Sequence, residues 1–244
     1  MERELAAAIR SIATPAGEAY RAGGPVSCLQ TIETIGRPAI QRVLSRQLLR
    51  TALIFGGRLL DDLAERTKGA TGTKGFRDVF EGVIRAWVDA HALARAVSVT
   101  GTIRERVRGV IATGVEEGTG EAGIAKTIVE TVGRILSRTN AARIARTEVH
   151  TAASVGADEA ARATGLEMVK EWAAVEDKRT RLSHFAADGQ TVEMEEPFVI
   201  GGGFTQVPPT ALRFPGDPDA PAREIVNCRC VPLYHPRIGG EIIR

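Results

Sequence analysis

Residues 227–230 read Asn227-Cys228-Arg229-Cys230, which places two of the chain's three cysteines one residue apart in a region of Pro, Gly and charged loops. A segment of that composition buries little apolar surface, so something other than a hydrophobic core has to hold it. An upstream counterpart, WAAVEDKRTRLSH, runs from Trp172 to His184. The two stretches are expected to meet in space, and that meeting decides how the C-terminal end folds.

Outward from that pair, the preceding sequence is helical. From Pro38 to about Arg66, Leu44, Leu48, Ala52, Phe55, Leu59 and Leu63 recur at three- and four-residue steps, one apolar stripe of a helix. A first helix over 2–22 is expected to break at Thr14-Pro15 and end at Gly23-Gly24-Pro25. A third is expected over 76–97 with Val79, Val83, Trp87 and Ala90 inward. The Gly/Thr/Lys segment from Thr67 to Gly75 lacks the G-K-[S/T] order of a phosphate loop and reads as a connection. Thr102 and Glu105 form a capping-box signature for a further helix start, and Ile124, Ile128, Val132 and Ile135 mark an amphipathic helix beyond a glycine-rich turn. Ala141 to Thr164 follows as an alanine-rich helix closed by Gly165, whose small side chains let a neighbouring backbone come near. Periodicity then fades into short strands and a long Pro-rich excursion. The expected class is α+β, a mainly helical N-terminal part with a small loop-rich α+β C-terminal domain, divided as 1–100 and 101–244.

Composition narrows the function. No apolar run approaches the roughly 20 residues of a membrane span, and the charged N-terminus does not resemble a signal peptide. Three cysteines in 244 residues fit a reducing compartment, and Cys28, with no suitable neighbour, reads as a small buried hydrophobe. Charge is uneven: residues 1–146 hold 22 Lys+Arg against 15 Asp+Glu (+7), and 147–244 hold 10 against 15 (−5). Arg42, Arg46 and Arg50 stand at successive i, i+4 positions, where like charges disfavour the helix unless an anion offsets them. With Arg134, Arg138 and Arg143 they are candidate contacts to DNA, without sequence preference, or to an acidic protein surface.

The chemistry sits in the C-terminal part. In extended backbone, residues two apart face the same way, so both sulfurs address one point. With His184 and Asp177 they make a four-ligand set, Asp177, His184, Cys228 and Cys230, that suits zinc. A second reading needs no metal: Arg179, Arg181 and Arg229 pair with Glu148 or Asp177. A structural clasp of Arg146, Glu148, Trp172, Asp177, Arg179, Arg181, His184, Asn227, Cys228, Arg229 and Cys230 then pins the loops onto the alanine-rich helix. A third reading is a thiol protease with Cys228 or Cys230 as nucleophile and His184 as base, but no oxyanion hole or cysteine-protease signature is legible.

Four features in order, ARIARTE (Ala142 to Glu148), Trp172, the D-x-R-T-R-x-x-H run from Asp177 to His184 with Asp188-Gly189-Gln190 behind it, and Asn227 to Cys230, resemble the phage Mu F-like family of minor head, or head morphogenesis, proteins. The resemblance covers about residues 100–235 and departs at Ala153-Ser154, where members often carry Asn. It implies a non-enzymatic minor capsid protein of a tailed bacteriophage that joins the procapsid beside the portal protein and other head proteins and contacts packaged DNA. It also implies a place in the virion head, with assembly in the host cytoplasm. The alternative is a cysteine-dependent head-maturation protease. Relatives can carry toxin domains fused behind this module.

Overall fold

The computed structural model describes the backbone of residues 1–67, 73–135 and 138–244, and the side chains of all of these except 73–75, 135 and 138–139. Long helices α1 (Glu2–Thr31), α2 (Arg37–Arg66), α3 (Thr73–Glu116), α4 (Glu121–Ile135) and α5 (Arg138–Ala163) come first. After them come β1 (Met168–Ala173), the short α6 (Leu182–Phe185), β2 (Thr191–Glu193), β3 (Phe198–Ile200), β4 (Thr210–Leu212), α7 (Ala222–Ile225), β5 (Val231–Ile238) and β6 (Glu241–Ile242). This is the expected α+β class. Among the described residues no helix is long and apolar enough to cross a membrane.

Two compact units are present, Met1–Gln47 with Trp87–Ala145, and Leu48–Ala86 with Arg146–Arg244. The expected division at residue 100 falls inside α3. In the first unit Leu5, Ile9, Ile12, Ile32, Ile40, Leu44, Ile103, Val107, Ile128 and Val132 are buried, and Cys28 lies fully buried among the core residues. Burial pushes the Cys28 thiol up to about 11. α1 passes through Pro15 without breaking, and Ile12, Ala13 and Ala16, its neighbours in sequence, are buried. Burial of that face offsets the roughly 3 kcal/mol that an interior proline costs a helix. At Gly23-Gly24 the backbone does leave helical geometry (Gly24 φ 67°, ψ −159°), and Pro25 opens the next helical stretch.

α3 departs from its sequence reading twice. Its buried face is Phe80, Ile84, Val88, Ala92 and Ala96, one position on from the expected stripe, while Val79 and Val83 are exposed. One residue turns a helix face by about 100°, and both phases carry apolar residues here, so only packing chooses between them. Thr102 caps no helix start: its hydroxyl donates to the Ser98 carbonyl at 3.1 Å, and Glu105 pairs with Arg108. A threonine can bond back to i−4 inside a continuous helix, which satisfies the same side chain without a terminus. The expected connection at 67–75 falls mostly outside the described residues.

In the second unit α5 is the central element. Gly156 on α5 meets the backbone of α2: a Cβ there would lie 2.4 Å from the Ala52 carbonyl oxygen and 2.7 Å from the Ala52 Cα. Gly56, at an inward position of α2, faces the Gly156 carbonyl in turn, while Phe55, expected inside, is exposed. The C-terminal sheet is antiparallel in the order β2-β1-β5-β6, with Val169 opposite both Glu193 and His235 and Trp172 opposite Pro232. A second pair, β3-β4, sets Phe198 opposite Leu212. Two apolar clusters result, Leu63, Ala161, Met168 and Tyr234, and Trp172, Phe198, Ile200 and Leu212 with Cys228 and Cys230.

The glycine contact gives opposite signs for one substitution. Gly156→Ala forces overpacking against backbone and is expected to cost about 1–3 kcal/mol. Gly133→Ala, where an added Cβ meets nothing within 4 Å, is expected to stabilise α4, by about 1 kcal/mol. Thermal unfolding followed by circular dichroism checks both, and a Gly156→Ala chain as stable as wild type would contradict the close approach.

Candidate functional site

Thr147, His150 and Thr151 of α5 stand at i, i+3 and i+4, the spacing that shares a helix face. Each takes hold of a loop backbone. The Thr147 hydroxyl oxygen accepts the Asn227 N–H at 3.2 Å, His150 Nε2–H donates to the Cys230 carbonyl at 2.7 Å, and the Thr151 hydroxyl donates to the Gly216 carbonyl at 2.9 Å. Gly216 has φ +82° and lies against the His150 ring, where a Cβ would come within 2.4 Å of Nδ1, so this position takes only glycine. Burial pushes the His150 pKa down. The Pro-rich excursion is thus fastened rather than loose, and the buried Asp217 accepts the backbone N–H groups of Arg213 and Asp219 within it.

That grip aims the cysteines. Asn227 adopts left-handed geometry (φ 56°) between α7 and Cys228, a conformation Asn tolerates better than most residues. The sulfurs of Cys228 and Cys230 both lie 3.5 Å from His184 Nδ1, and the three ligand atoms all fall within 4.8 Å of one another. His184 Nε2–H faces Glu224 Oε2 at 3.1 Å, and Glu224 Oε1 accepts from Arg223 Nε at 2.9 Å. Trp172 meets the imidazole edge-on, ring centres 5.3 Å apart, and Phe198 backs Trp172 at 5.4 Å. Cys228, Cys230, His184 and Glu224 are all 5% exposed or less, so the group is closed to solvent.

The two thiols behave as a pair. Cys230 is pushed down to about 4, chiefly because Cys228 donates its S–H to it, with His184 adding to the effect against burial. Cys228 is pushed up because its proton is held between the sulfurs and because burial disfavours a second negative charge.

Of the expected four-ligand set, the structure brings together His184, Cys228 and Cys230 but not Asp177. Both Asp177 oxygens accept from Arg229 at 2.5 Å, which holds its carboxyl well below the usual range. Of the expected clasp pairings, Arg229–Asp177 forms, Arg179 reaches Asp177 only at 3.8 Å, and Arg181 donates to the Val226 carbonyl instead. Glu148 is buried and Arg146 exposed. The basic set divides likewise: Arg46 pairs with Glu4 at 2.8 Å and Arg134 with Glu130 at 2.7 Å, while Arg42, Arg50 and Arg143 are exposed and the Arg138 side chain lies outside the described residues. The like-charge row of α2 is therefore partly offset from within. Thr147 and His150 belong to the cluster Arg143, Arg146, Thr147, Glu148 and His150 at the start of the alanine-rich helix, which by sequence must pair internally or face a site. Thr151, although it stands at i+4 from Thr147, and Glu224, which no pattern marks, were missed.

Residues 105–233 match the family described as Phage Mu protein F like protein, and the chain belongs to that family. Over 134 residues, 54% of this chain, it is 37% identical to an NAD(+)–arginine ADP-ribosyltransferase, EFV, of Enterococcus faecalis, covering 26% of that protein. Over 137 residues, 54% of this chain, it is 33% identical to the minor head protein GP7 of Bacillus phage SPP1, covering 40% of it. The matched part thus spans less than half of either relative. No solved structure matches the chain.

Thr147→Val leaves the Asn227 N–H without its acceptor, and the expected loss is about 0.5–1.5 kcal/mol of stability, the net worth of one part-buried hydrogen bond. Thr147→Ser should recover most of it. Urea unfolding, with hydrogen exchange at the Asn227 amide, reads both effects.

Proposed function

We propose that the chain is a minor head component of a tailed bacteriophage, and that its Mu F-like part is a structural module locked by a zinc ion on His184, Cys228 and Cys230. The observation that carries the metal is the geometry of the three donors. Tetrahedral zinc, with sulfur at about 2.3 Å and imidazole nitrogen at about 2.0 Å, sets nitrogen and sulfur roughly 3.5 Å apart. Both N···S distances here are 3.5 Å. The Glu224 contact to the other ring nitrogen is the carboxylate–histidine arrangement that orients metal-bound imidazoles. Zinc would displace the thiol protons and balance the charge of two thiolates. Asp177, held by Arg229, is not part of this set. The described residues supply three of the four donors that such a site takes.

Burial supports a structural role over a catalytic one. A thiol protease must present its sulfur to a peptide, and here Cys228 and Cys230 are 5% and 2% exposed and His184 1%. The activity in the name of the Enterococcus relative is not carried over, because only 26% of that protein is matched. Placement in the virion head, beside the portal and other head proteins, rests on the family and on the SPP1 relative's name. Contact with DNA rests on the exposed Arg42, Arg50 and Arg143.

Elemental analysis of the full chain purified with zinc supplied is expected to give about one zinc per chain. His184→Ala and Cys230→Ser should lose it, and Glu224→Gln should weaken binding by roughly 10–100-fold. Wild-type protein without metal would leave the polar network as the whole clasp. For the nucleic-acid contact, the full chain should retard duplex DNA at low salt and release it as salt rises, with Arg42→Ala/Arg50→Ala weakening the shift. Absence of any shift at low salt would assign those arginines to a protein surface.

A further inference from the structure

We propose that a second site lies beside the Cys/His group, an arginine-lined cavity that holds a phosphate group of a nucleic-acid strand. Arg146 at the start of the second unit's share of α5, Arg179 and Arg181 before α6, and Arg229 between the cysteines converge on a solvent-facing cavity of about 490 Å³, with Asn227 and Cys228 also in its wall. Among the described residues none that lines it is acidic and none is aromatic.

A solvated surface commonly carries arginines, so what matters is how these four are committed. Arg229 is spoken for by both oxygens of Asp177. Arg181 uses one Nη on the Val226 carbonyl and keeps its other donors. Arg179, with an 80% exposed side chain, has only the 3.8 Å approach to Asp177, and Arg146 makes no ion pair with any described residue. Four cations and one carboxylate at the rim leave +3 around one concavity, drawn from three separate segments. Gathering like charges costs free energy that an anion would recover. Two of the four are held in place, Arg229 by two hydrogen bonds and Arg181 by one, beside the Asn227 turn that Thr147 fastens. Preorganised guanidinium forks lose little freedom on binding and match the oxygens of a phosphate.

The occupant follows from the same features. A backbone phosphate offers two charged oxygens, as a carboxylate does, but a strand repeats that group every few ångströms, so a phosphate and its neighbour can serve the three incompletely used guanidinium groups. The cavity exceeds one free anion and suits a phosphate with its sugar. Without an aromatic wall the bases gain no stacking, so the contact is indifferent to sequence. The cavity site does not depend on zinc or on the α2 arginines.

The test is fluorescence anisotropy of a short labelled single-stranded oligonucleotide with the full chain, across a salt series, with inorganic phosphate and a glutamate-rich peptide as competitors. Arg146→Ala/Arg179→Ala removes two exposed side chains with no hydrogen bond to lose. It is expected to weaken binding at least tenfold and to flatten the salt dependence by about one in slope, near 0.7 per lost single-strand phosphate contact. Inorganic phosphate should compete with wild type and not with the variant. If that variant binds as wild type does while Arg42→Ala/Arg50→Ala abolishes binding, the cavity is overturned and the α2 contact stands. Cavity-dependent binding of the acidic peptide alone overturns it in favour of a protein partner.

Discussion

The C-terminal half of this protein depends on three side chains on one face of α5. Thr147, His150 and Thr151 hold the backbone at Asn227, Cys230 and Gly216, where apolar residues are too few to do so. Each bond is worth only about 1 kcal/mol net, but losing the His150 or the Thr151 bond would strand a carbonyl of a buried residue, and that cost keeps the loops in one position. The same helix meets the α2 backbone through Gly156. One element therefore orders helices by close packing and loops by hydrogen bonds.

From that grip the chemistry of the site follows. With Asn227 turned into left-handed geometry and Cys230 tied to His150, both sulfurs reach one ring nitrogen of His184 while Glu224 takes the other. Arg229, the residue between the cysteines, points the other way to Asp177, so the inner face is sulfur and the outer face is charge. A closed inner face suits fastening more than turnover. The outer face, crowded with guanidinium groups, is open to solvent.

Much of this was legible in particular residues. Two stretches with little apolar content and complementary polar groups, Trp172 to His184 and Asn227 to Cys230, do meet, and the alanine-rich helix does carry the closest backbone approach. Other features were not legible because several readings met the same local rule. Val79/Val83 and Phe80/Ile84 are both apolar at helical spacing, and Thr102 is satisfied equally by a helix start or by Ser98 within a helix. By residue type Asp177 is as good a ligand as any carboxylate, but Arg229, distant in sequence, occupies both its oxygens.

By itself the sequence determined the α+β class, the order of helices and short strands, the pairing of the Cys-x-Cys segment with His184, and the family, since these rest on periodicity, residue type and motif order along the chain. Only the tertiary structure decided which face of α3 is buried, that α1 runs through Pro15, that Glu224 rather than Asp177 stands at His184, and that four arginines share one cavity. Those outcomes turn on which side chains distant in sequence arrive within a few ångströms of each other. Burial and charge pairing set that distance, and no local spacing records it.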